Sequence, residues 1–325
     1  MNIELPAQII NDLERVNKVI EHDLRSDIDF INQISGHIIN AGGKRIRPIL
    51  TLLCGRISQV NNDCDCHTLY QMATMIEYIH TATLLHDDVV DEALMRRGQQ
   101  TINALFSNNT SVLVGDFIYT RAFELMCKAD SLPLLKIMAR ATNQISQGEI
   151  LQLFYINNTD INEEQYFKII TAKTAILFQA AANVATIVNK SSSLIYDALS
   201  DYAFNLGIAF QIIDDVLDYT GQKDQTGKAI TKDLLEGKIT LPIIYLFKNN
   251  KEQEQLMIKH ALSTKDHNDI MNIVRLLLNS DAITYCTKVA NDYIDKALTS
   301  LNIFISSEYK TALQNLAKLA INRLN

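Results

Sequence analysis

A short acidic pattern that occurs twice is the part of the sequence best suited to chemistry. Asp-Asp-x-x-Asp is found at residues 87–91 and again at 214–218, each time within an apolar stretch. On a helix, the first and last aspartates of each copy would lie on one face, one turn apart. Stacked carboxylates repel one another and lose hydration in apolar surroundings, so they require a nearby cation. One copy alone could be a solvated helix face, but two copies favour a functional site.

Hard divalent cations are the natural partners of such carboxylates. Magnesium prefers one or two carboxylates together with substrate phosphates and water. We therefore expect the two acidic faces to oppose each other across a cavity, where bound Mg²⁺ holds and activates a diphosphate. The aspartates of this predicted site are Asp87, Asp88, Asp91, Asp214, Asp215 and Asp218.

Basic side chains near these motifs could bind the phosphate oxygens directly, because guanidinium groups and the N–H groups of a helix start both suit an anion. The candidates are Lys44, Arg45 and Arg47 in a glycine-containing loop before a helix start, Arg96 and Arg97 just after the first motif, and Lys173, Lys228 and Lys238. His80 precedes Asp87 by nearly two helical turns and therefore shares its helix face. Each group alone could be structural or a solvated charge, but together with the acidic motifs they predict a site for two anionic substrates.

Helices must position all of these groups, because the apolar spacing is helical along most of the chain. The spacing predicts helices over residues 5–35, 47–58, 67–90, 110–128, 131–153, 162–189, 194–220 and 280–303, with shorter ones between 240 and 278 and one at the C-terminus. No segment has a convincing strand alternation with turn signals. We expect one all-α domain over residues 1–325, built as a single large helical bundle around a central cavity.

Composition and charge limit the functional classes. The chain has 325 residues, of which 47% are hydrophobic and 21% charged, as in ordinary globular proteins. A net charge of −7 argues against nucleic-acid binding. We expect no membrane span, since no apolar run reaches about 18 residues, and no secretory signal is evident. Five scattered cysteines fit a reducing compartment, so we expect a cytoplasmic protein.

The motifs, in this order, resemble those of the trans-polyprenyl diphosphate synthases. The matching segments are 42–48, 85–91 with 95–98, Gly115-Asp116, 210–218, Gly227-Lys228 and 236–242. The resemblance runs over roughly residues 10–325, and within the family it is strongest to the octaprenyl diphosphate synthases, including segment 111–123. It implies a homodimeric prenyltransferase of the isoprenoid synthase fold. Such an enzyme adds isopentenyl diphosphate to an allylic diphosphate, here farnesyl diphosphate, and makes an octaprenyl chain for quinone side chains.

The resemblance also implies a role for each site residue. Three aspartates would coordinate Mg²⁺ that bridges the allylic diphosphate, namely Asp87, Asp91 and Asp214, with support from Asp88, Asp215 and Asp218. The allylic diphosphate would also be contacted by Arg96, Lys173, Thr174, Gln211, Lys228 and Lys238. Isopentenyl diphosphate would be held by Lys44, Arg47, His80 and Arg97.

One segment departs from the family pattern. After the second motif the family often has Gly-Lys-x-x-x-Asp-Asp-Leu, whereas this chain has Lys232 where the first of these aspartates is expected. This substitution would weaken the outer contacts of the metal unless Asp233 suffices.

The growing product is apolar and requires an apolar tunnel. In short-chain family members, bulky aromatic residues just before the first motif close this path. Ala82 and Thr83 stand at those positions here and predict that the tunnel continues. Phe123, Met126 and Met138 are candidates for its deeper wall or floor, with simple core packing as the equal alternative.

Two other functions remain open at this point. A class I terpene cyclase also uses aspartate-rich metal sites, but it normally lacks a second Asp-Asp-x-x-Asp and the Gly-Gly-Lys-Arg loop. A non-catalytic subunit of a heteromeric prenyl synthase would be favoured by eroded motifs, whereas both motifs are intact here.

Overall fold

Helices form nearly all of the regular structure in the computed structural model, which describes residues 4–40, 42–59, 65–221, 231–249 and 252–322. They are α1 (Ala7–Asp23), α2 (Asp29–Asn40), α3 (Ile46–Ile57), α4 (Cys66–Val90), α5 (Ile102–Leu105), α6 (Asn108–Lys128), α7 (Leu132–Phe154), α8 (Glu163–Ile170), α9 (Ile176–Val188), α10 (Ser193–Thr220), α11 (Lys232–Leu235), α12 (Leu241–Asn249), α13 (Glu252–Thr264), α14 (His267–Leu278), α15 (Ala282–Ser300) and α16 (Glu308–Ile321). A π-helical turn (Thr171–Ala175) follows α8, and a 3₁₀ turn (Leu301–Ile303) follows α15. The all-α prediction is confirmed.

The chain divides into two compact units. The first unit comprises Met1–Thr142, Leu177–Ala203 and Leu298–Leu316, and the second comprises Asn143–Ile176, Phe204–Ala297 and Ala317–Asn325. The expectations of a single domain over residues 1–325 and of one central cavity stay predictions.

The first unit is organised around α4, which packs against α1, α3 and α6. Residues 72–79 of α4 are all buried, so this stretch is enclosed around its whole circumference, as expected of a central helix. Helix α1 buries Ile9, Val16 and Ile20 in the same core, and these residues recur at helical spacing. This packing fixes the helix that carries the first acidic motif.

The second unit contains the C-terminal part of α10, which carries the second motif. Ile212, Ile213, Val216 and Tyr219 are buried around the motif. Elsewhere in this unit α12 packs against α8 and α14, and α14 packs against α13. The second motif therefore lies on a helix whose apolar residues anchor it in a core.

The single helix predicted over residues 5–35 was wrong, because two helices, α1 and α2, occupy this segment and its continuation. Ser26 and Asn32 hydrogen-bond to each other across the connection between the two helices. The Ser26 N–H donates to Asn32 Oδ1 (2.9 Å), and Asn32 Nδ2 donates to the Ser26 carbonyl (2.8 Å). Such local side-chain bonds compete with helical hydrogen bonding.

A two-stranded hairpin interrupts the helical pattern after the first motif. Strand β1 (Met95–Arg96) pairs antiparallel with β2 (Gln99–Gln100). The two turn residues, Arg97 and Gly98, both have positive φ, at 52° and 77°, as in the type I′ turns that suit short hairpins.

The stretch predicted as one helix over residues 162–189 is nearly continuous but contains the π turn. Within the described residues, one stretch (Glu163–Val188) is long and apolar enough to cross a membrane, and 72% of its most apolar window is buried inside the protein. That burial is typical of a core helix.

Candidate active site

The first acidic motif lies at the C-terminal end of α4. Asp91 is the C-cap residue, and its N–H donates to the carbonyl of Asp87 at 2.8 Å. The predicted spacing of one helical turn between these two residues is thus present. Both carboxylates are partly exposed, whereas Asp88, on the adjacent face, is only 3% exposed.

Arg96 is the ion-pair partner of Asp88. Its Nε and Nη2 lie 2.8 and 2.7 Å from Asp88 Oδ1. This pair connects strand β1 to the acidic motif and neutralises the buried carboxylate. The structure therefore gives Arg96 a contact within the protein, while its predicted contact with the allylic diphosphate stays a prediction.

The segment on either side of the hairpin is fixed by hydrogen bonds to its own backbone. Thr101 Oγ1 donates to the carbonyl of Ala93 (2.7 Å), and the Thr101 N–H donates to Leu94 (3.1 Å). Asn103 Nδ2 donates to the carbonyls of Asp88 and Ala93. The hairpin thus holds Arg96 and Arg97 beside the end of α4.

Arg97 extends from the hairpin to the glycine-containing loop before α3. Its Nη1 donates to the carbonyl of Gly42. A Cβ placed on Gly43 would lie 2.5 Å from the same Nη1, so a larger residue there would displace the guanidinium. The sequence predicted both basic segments, and the structure brings them together.

His80 lies within a cluster of arginines. Burial, and then the positive charges of Arg47, Arg97 and Arg96, lower the pKa of His80 well below its ordinary value. The guanidinium of Arg47 also lies over the ring of Phe178, 4.7 Å from its centroid. His80 is therefore a neutral imidazole near pH 7.

Helix α6 approaches α4 closely beside the first motif. A Cβ on Gly115 would overlap His86 Nε2, so only glycine leaves room for this imidazole. His86 Nε2 is 3.2 Å from the carbonyl of Val112 and 3.4 Å from Asp116 Oδ1. Ser111 Oγ donates to the carbonyl of Leu85 (2.9 Å). These contacts position the residues directly before Asp87.

The predicted tunnel residues have different environments. Ala82, Met126 and Met138 are buried, whereas Phe123 is 39% exposed. Thr83 Oγ1 donates to the carbonyl of His80 at 2.8 Å. The burial of the two methionines fits either a tunnel wall or core packing, so the tunnel stays a prediction.

The second motif lies within α10, and its middle carboxylate, Asp215, is 4% exposed. Tyr166 donates its hydroxyl to Asp215 Oδ2 (2.6 Å), and Gln211 Nε2 donates to Oδ1 (2.7 Å). Burial, followed by the charges of Asp233 and Asp214, raises the pKa of Asp215 well above its ordinary value, although the two hydrogen bonds oppose this.

The π turn presents two of the predicted substrate-binding residues. Thr174 Oγ1 donates to Gln211 Oε1 (2.7 Å), and Lys173 Nζ donates to Glu149 Oε2 (2.6 Å). Gly148 allows helix α7 to pack closely against the turn, since a Cβ there would lie 2.8 Å from the Cβ of Ala172. Such wide turns often occur at functional sites.

The segment after the second motif contains the unusual Lys232. Its Nζ lies 3.1 Å from Glu236 Oε1, and Lys238 Nζ lies 2.7 Å from Oε2 of the same carboxylate. The Asp233 N–H donates to Asp218 Oδ2 (3.1 Å), which ties the segment to the motif. Lys228 lies outside the described residues.

The structure groups the predicted residues into two sets. The first unit contains Asp87, Asp88, Asp91, Arg96, Arg97, His80, Lys44 and Arg47, and the second contains Asp214, Asp215, Asp218, Lys173, Thr174, Gln211 and Lys238. The opposition of the two acidic faces stays a prediction.

The sequence reasoning missed Glu77 and Tyr166. Glu77 accepts from Arg45, and Tyr166 donates to Asp215. A charged residue within the apolar run of α4 was a usable signal for Glu77. No comparable signal marked Tyr166.

The donor chemistry fits a hard divalent cation. Asp87 with Asp91, and Asp214 with Asp218, form carboxylate pairs one helical turn apart. Among the described residues, no three His, Cys, Asp or Glu side chains form a ready-made metal cluster. One or two carboxylates are enough for a cation whose other ligands are phosphate and water.

Known proteins share both the sequence and the fold. The octaprenyl diphosphate synthase of Escherichia coli (strain K12) is 42% identical over 321 residues, which cover 98% of this chain and 97% of that protein. The Haemophilus influenzae (strain ATCC 51907 / DSM 11121 / KW20 / Rd) octaprenyl diphosphate synthase is 41% identical, covering 96% and 94%. A crystal structure of a polyprenyl synthase from Caulobacter crescentus CB15, complexed with calcium and isoprenyl diphosphate, has a TM-score of 0.93, with 37% identity over 98% of this chain and 96% of that chain.

The helical fold and its aspartate-bearing helices therefore define an enzyme of the prenyl-transferring class. A family model described as Polyprenyl synthetase matches residues 28–277, and the chain belongs to this family. The predicted family, fold and enzyme class are confirmed.

Proposed function

We propose that the protein is a magnesium-dependent trans-prenyltransferase that adds isopentenyl diphosphate units to farnesyl diphosphate and makes an octaprenyl chain for quinone side chains. The observation that carries this proposal is the first unit's site, where one helix bears both His80 within its arginine cluster and the carboxylates of Asp87 and Asp91. Similarity to octaprenyl diphosphate synthases over nearly the full length supports the substrates and product length.

Two diphosphates are bound in different ways in this proposal. Isopentenyl diphosphate contacts the protein directly, through the cations Lys44, Arg47 and Arg97 and through His80. The neutral imidazole of His80 would donate a hydrogen bond to a phosphate oxygen, and the guanidinium groups would supply the charge. The allylic diphosphate is bound by the metal and by Arg96, Lys173, Thr174, Gln211, Lys228 and Lys238.

Asp87, Asp91 and Asp214 would hold the magnesium, with Asp88, Asp215 and Asp218 in support. Bound magnesium would supply positive charge that stabilises the departing diphosphate. The allylic C–O bond breaks and its electron pair stays on that diphosphate. The double bond of isopentenyl diphosphate attacks the allylic cation, and the proton then lost passes to the diphosphate. The arginines hold the attacking substrate in place.

Helix α6 and the start of α7 support the proposal of a homodimer. Leu113 and Phe123 lie on the exposed side of α6, and Leu132 and Leu135 are exposed at the start of α7. Exposed apolar patches of this kind mark protein interfaces. Light scattering tests this assembly: the wild type should be a dimer, and Leu113→Lys should dissociate.

We also propose that the enzyme is cytoplasmic.

An incubation with labelled isopentenyl diphosphate, farnesyl diphosphate and Mg²⁺ tests the function. We expect linear prenols up to octaprenol after dephosphorylation and chromatography, and no products when the metal is chelated. A cyclic hydrocarbon would indicate a terpene cyclase. No product without an added partner would indicate a non-catalytic subunit.

The product length tests the tunnel. Met126→Ala removes a buried side chain and should lengthen the prenol by extending the apolar path. Leu194→Ala, at an exposed position near the start of α10, is the control and should leave the length unchanged. An unaltered product from a variant with both Met126 and Met138 truncated would exclude them as the tunnel floor.

A further inference from the structure

Glu77 is a buried carboxylate within the apolar part of α4, at 5% exposure. Its Oε1 accepts from Arg45 Nη1 at 2.6 Å. A small cavity beside this pair is lined largely by apolar side chains, including Ile20, Ile38 and Ile118. The pair therefore borders the apolar core, where an ion pair strongly fixes its partners.

Arg45 occupies a strained position. It is the N-cap residue of α3, with φ 48° and ψ 34°, and its side chain makes no capping bond. A non-glycine residue in this left-handed conformation costs about 1 kcal/mol and persists only where surrounding contacts enforce it. The ion pair with Glu77 is such a contact.

The strained residue lies between two groups assigned to the isopentenyl diphosphate. Lys44 directly precedes Arg45, and Arg47 follows two residues later. Arg97 joins the same loop through the carbonyl of Gly42. The backbone conformation of Arg45 therefore helps to set the directions of Lys44 and Arg47, which flank it in the chain.

We propose that Glu77 is a positioning residue for isopentenyl diphosphate, because its ion pair with Arg45 holds the loop before α3 in the conformation that binds this substrate. The inference rests on the proposed function. Glu77 itself touches no substrate and acts through Arg45.

Removing the charge of Glu77 acts on the binding of isopentenyl diphosphate in two ways, which change the KM for this substrate in opposite directions. If Glu77 acted only through its field, Glu77→Gln would make the cluster more positive and lower KM for isopentenyl diphosphate. If Glu77 positions the loop, the substitution releases Arg45 and raises this KM. We expect a rise of about tenfold, which corresponds to about 1.4 kcal/mol, with KM for farnesyl diphosphate unchanged and kcat little changed.

A second buried ion pair in the same unit provides a matched control. Asp12 accepts from Arg56 Nε and Nη2 at 2.6 and 2.7 Å and is almost fully buried. Asp12→Asn and Glu77→Gln should both lower thermal stability, but Asp12→Asn should leave both KM values unchanged. A KM rise in both variants would indicate general destabilisation and overturn the proposal.

The partner residue supplies the second variant. Arg45→Gln, made at a more exposed side chain, should raise KM for isopentenyl diphosphate to a similar extent, and the double variant should be no worse than either single one. An unchanged or lowered KM in Glu77→Gln overturns the inference. If Glu77→Gln does not fold, an unchanged KM for isopentenyl diphosphate in Arg45→Gln overturns the inference. Failure of the wild type to elongate any substrate would instead overturn the proposed function.

Discussion

The two acidic motifs share a pattern but lie in surroundings of opposite charge. In the first unit Asp88 is neutralised by Arg96, and burial together with neighbouring arginines lowers the pKa of His80. In the second unit Asp215 accepts from the neutral donors Tyr166 and Gln211, and burial together with adjacent carboxylates raises its pKa. The comparison shows that the Asp-Asp-x-x-Asp motif alone does not determine the electrostatic surroundings of its carboxylates. Residues from neighbouring segments determine them.

This difference suits two kinds of anion binding. The arginine-rich first unit is prepared to bind a phosphate group with protein cations. The carboxylates around the second motif favour the binding of added cations, which then attract a phosphate, and Asp87 and Asp91 of the first unit have the same role in the proposed function. Substitutions that remove charge from each region test this contrast.

The largest effect is expected for the outer carboxylates. Asp87→Ala and Asp214→Ala should each lower kcat by about 10²–10³-fold, because charge stabilisation at the departing diphosphate is lost. They should also raise the Mg²⁺ concentration needed for half-maximal rate. Steady-state kinetics across a magnesium titration measure both. Asp292→Ala, on the exposed side of α15, is the control, and near-normal turnover in Asp87→Ala would refute the metal assignment.

An intermediate effect is expected for the groups that hold the middle aspartates. Arg96→Gln removes a charged donor from Asp88 and should lower the free energy of unfolding by about 2–3 kcal/mol, allowing for the partial exposure of Arg96. Tyr166→Phe removes a neutral donor from Asp215 and should cost about 1–2 kcal/mol. Urea unfolding measures the free energy of unfolding of both variants. A larger loss for Tyr166→Phe than for Arg96→Gln would contradict the proposed difference between the two motifs.

The smallest effect is a pH dependence of stability due to His80. Since its folded-state pKa lies well below the ordinary 6.5, the unfolded chain takes up a proton first as the pH falls. The stability contributed by His80 is therefore complete above about 6.5 and is lost at lower pH, by at most about 1.4 kcal/mol per pH unit. His80→Gln should remove this slope. Calorimetric melting of both proteins at several pH values measures it, and equal slopes would contradict the lowered pKa of His80.

The sequence was sufficient to predict the helices that carry the motifs. Helices α4 and α10 contain long runs at helical spacing, and the Asp-Asp-x-x-Asp pattern fixes which carboxylates lie one turn apart. The resemblance supplied the family, the fold and the enzyme class. These features depend on residues close together in the chain.

Features that depend on tertiary contacts could not be predicted in this way. The hairpin strands have two residues each, too few for alternation to be detected. The π turn depends on the close approach of Gly148, and the Arg45–Glu77 pair joins residues 32 positions apart. The pairing of Arg96 with Asp88 likewise depends on how the hairpin folds back.

The backbone of Arg97 has a consequence for selection experiments. Arg97 has φ 52° in a two-residue hairpin turn. This backbone conformation is energetically less favourable for arginine than for asparagine or glycine, which this turn type prefers. Arg97→Asn would relieve that strain while removing the guanidinium assigned to substrate. A library screened for heat resistance alone would therefore enrich inactive clones at this position, and only a combined screen for survival and prenol formation would retain the arginine.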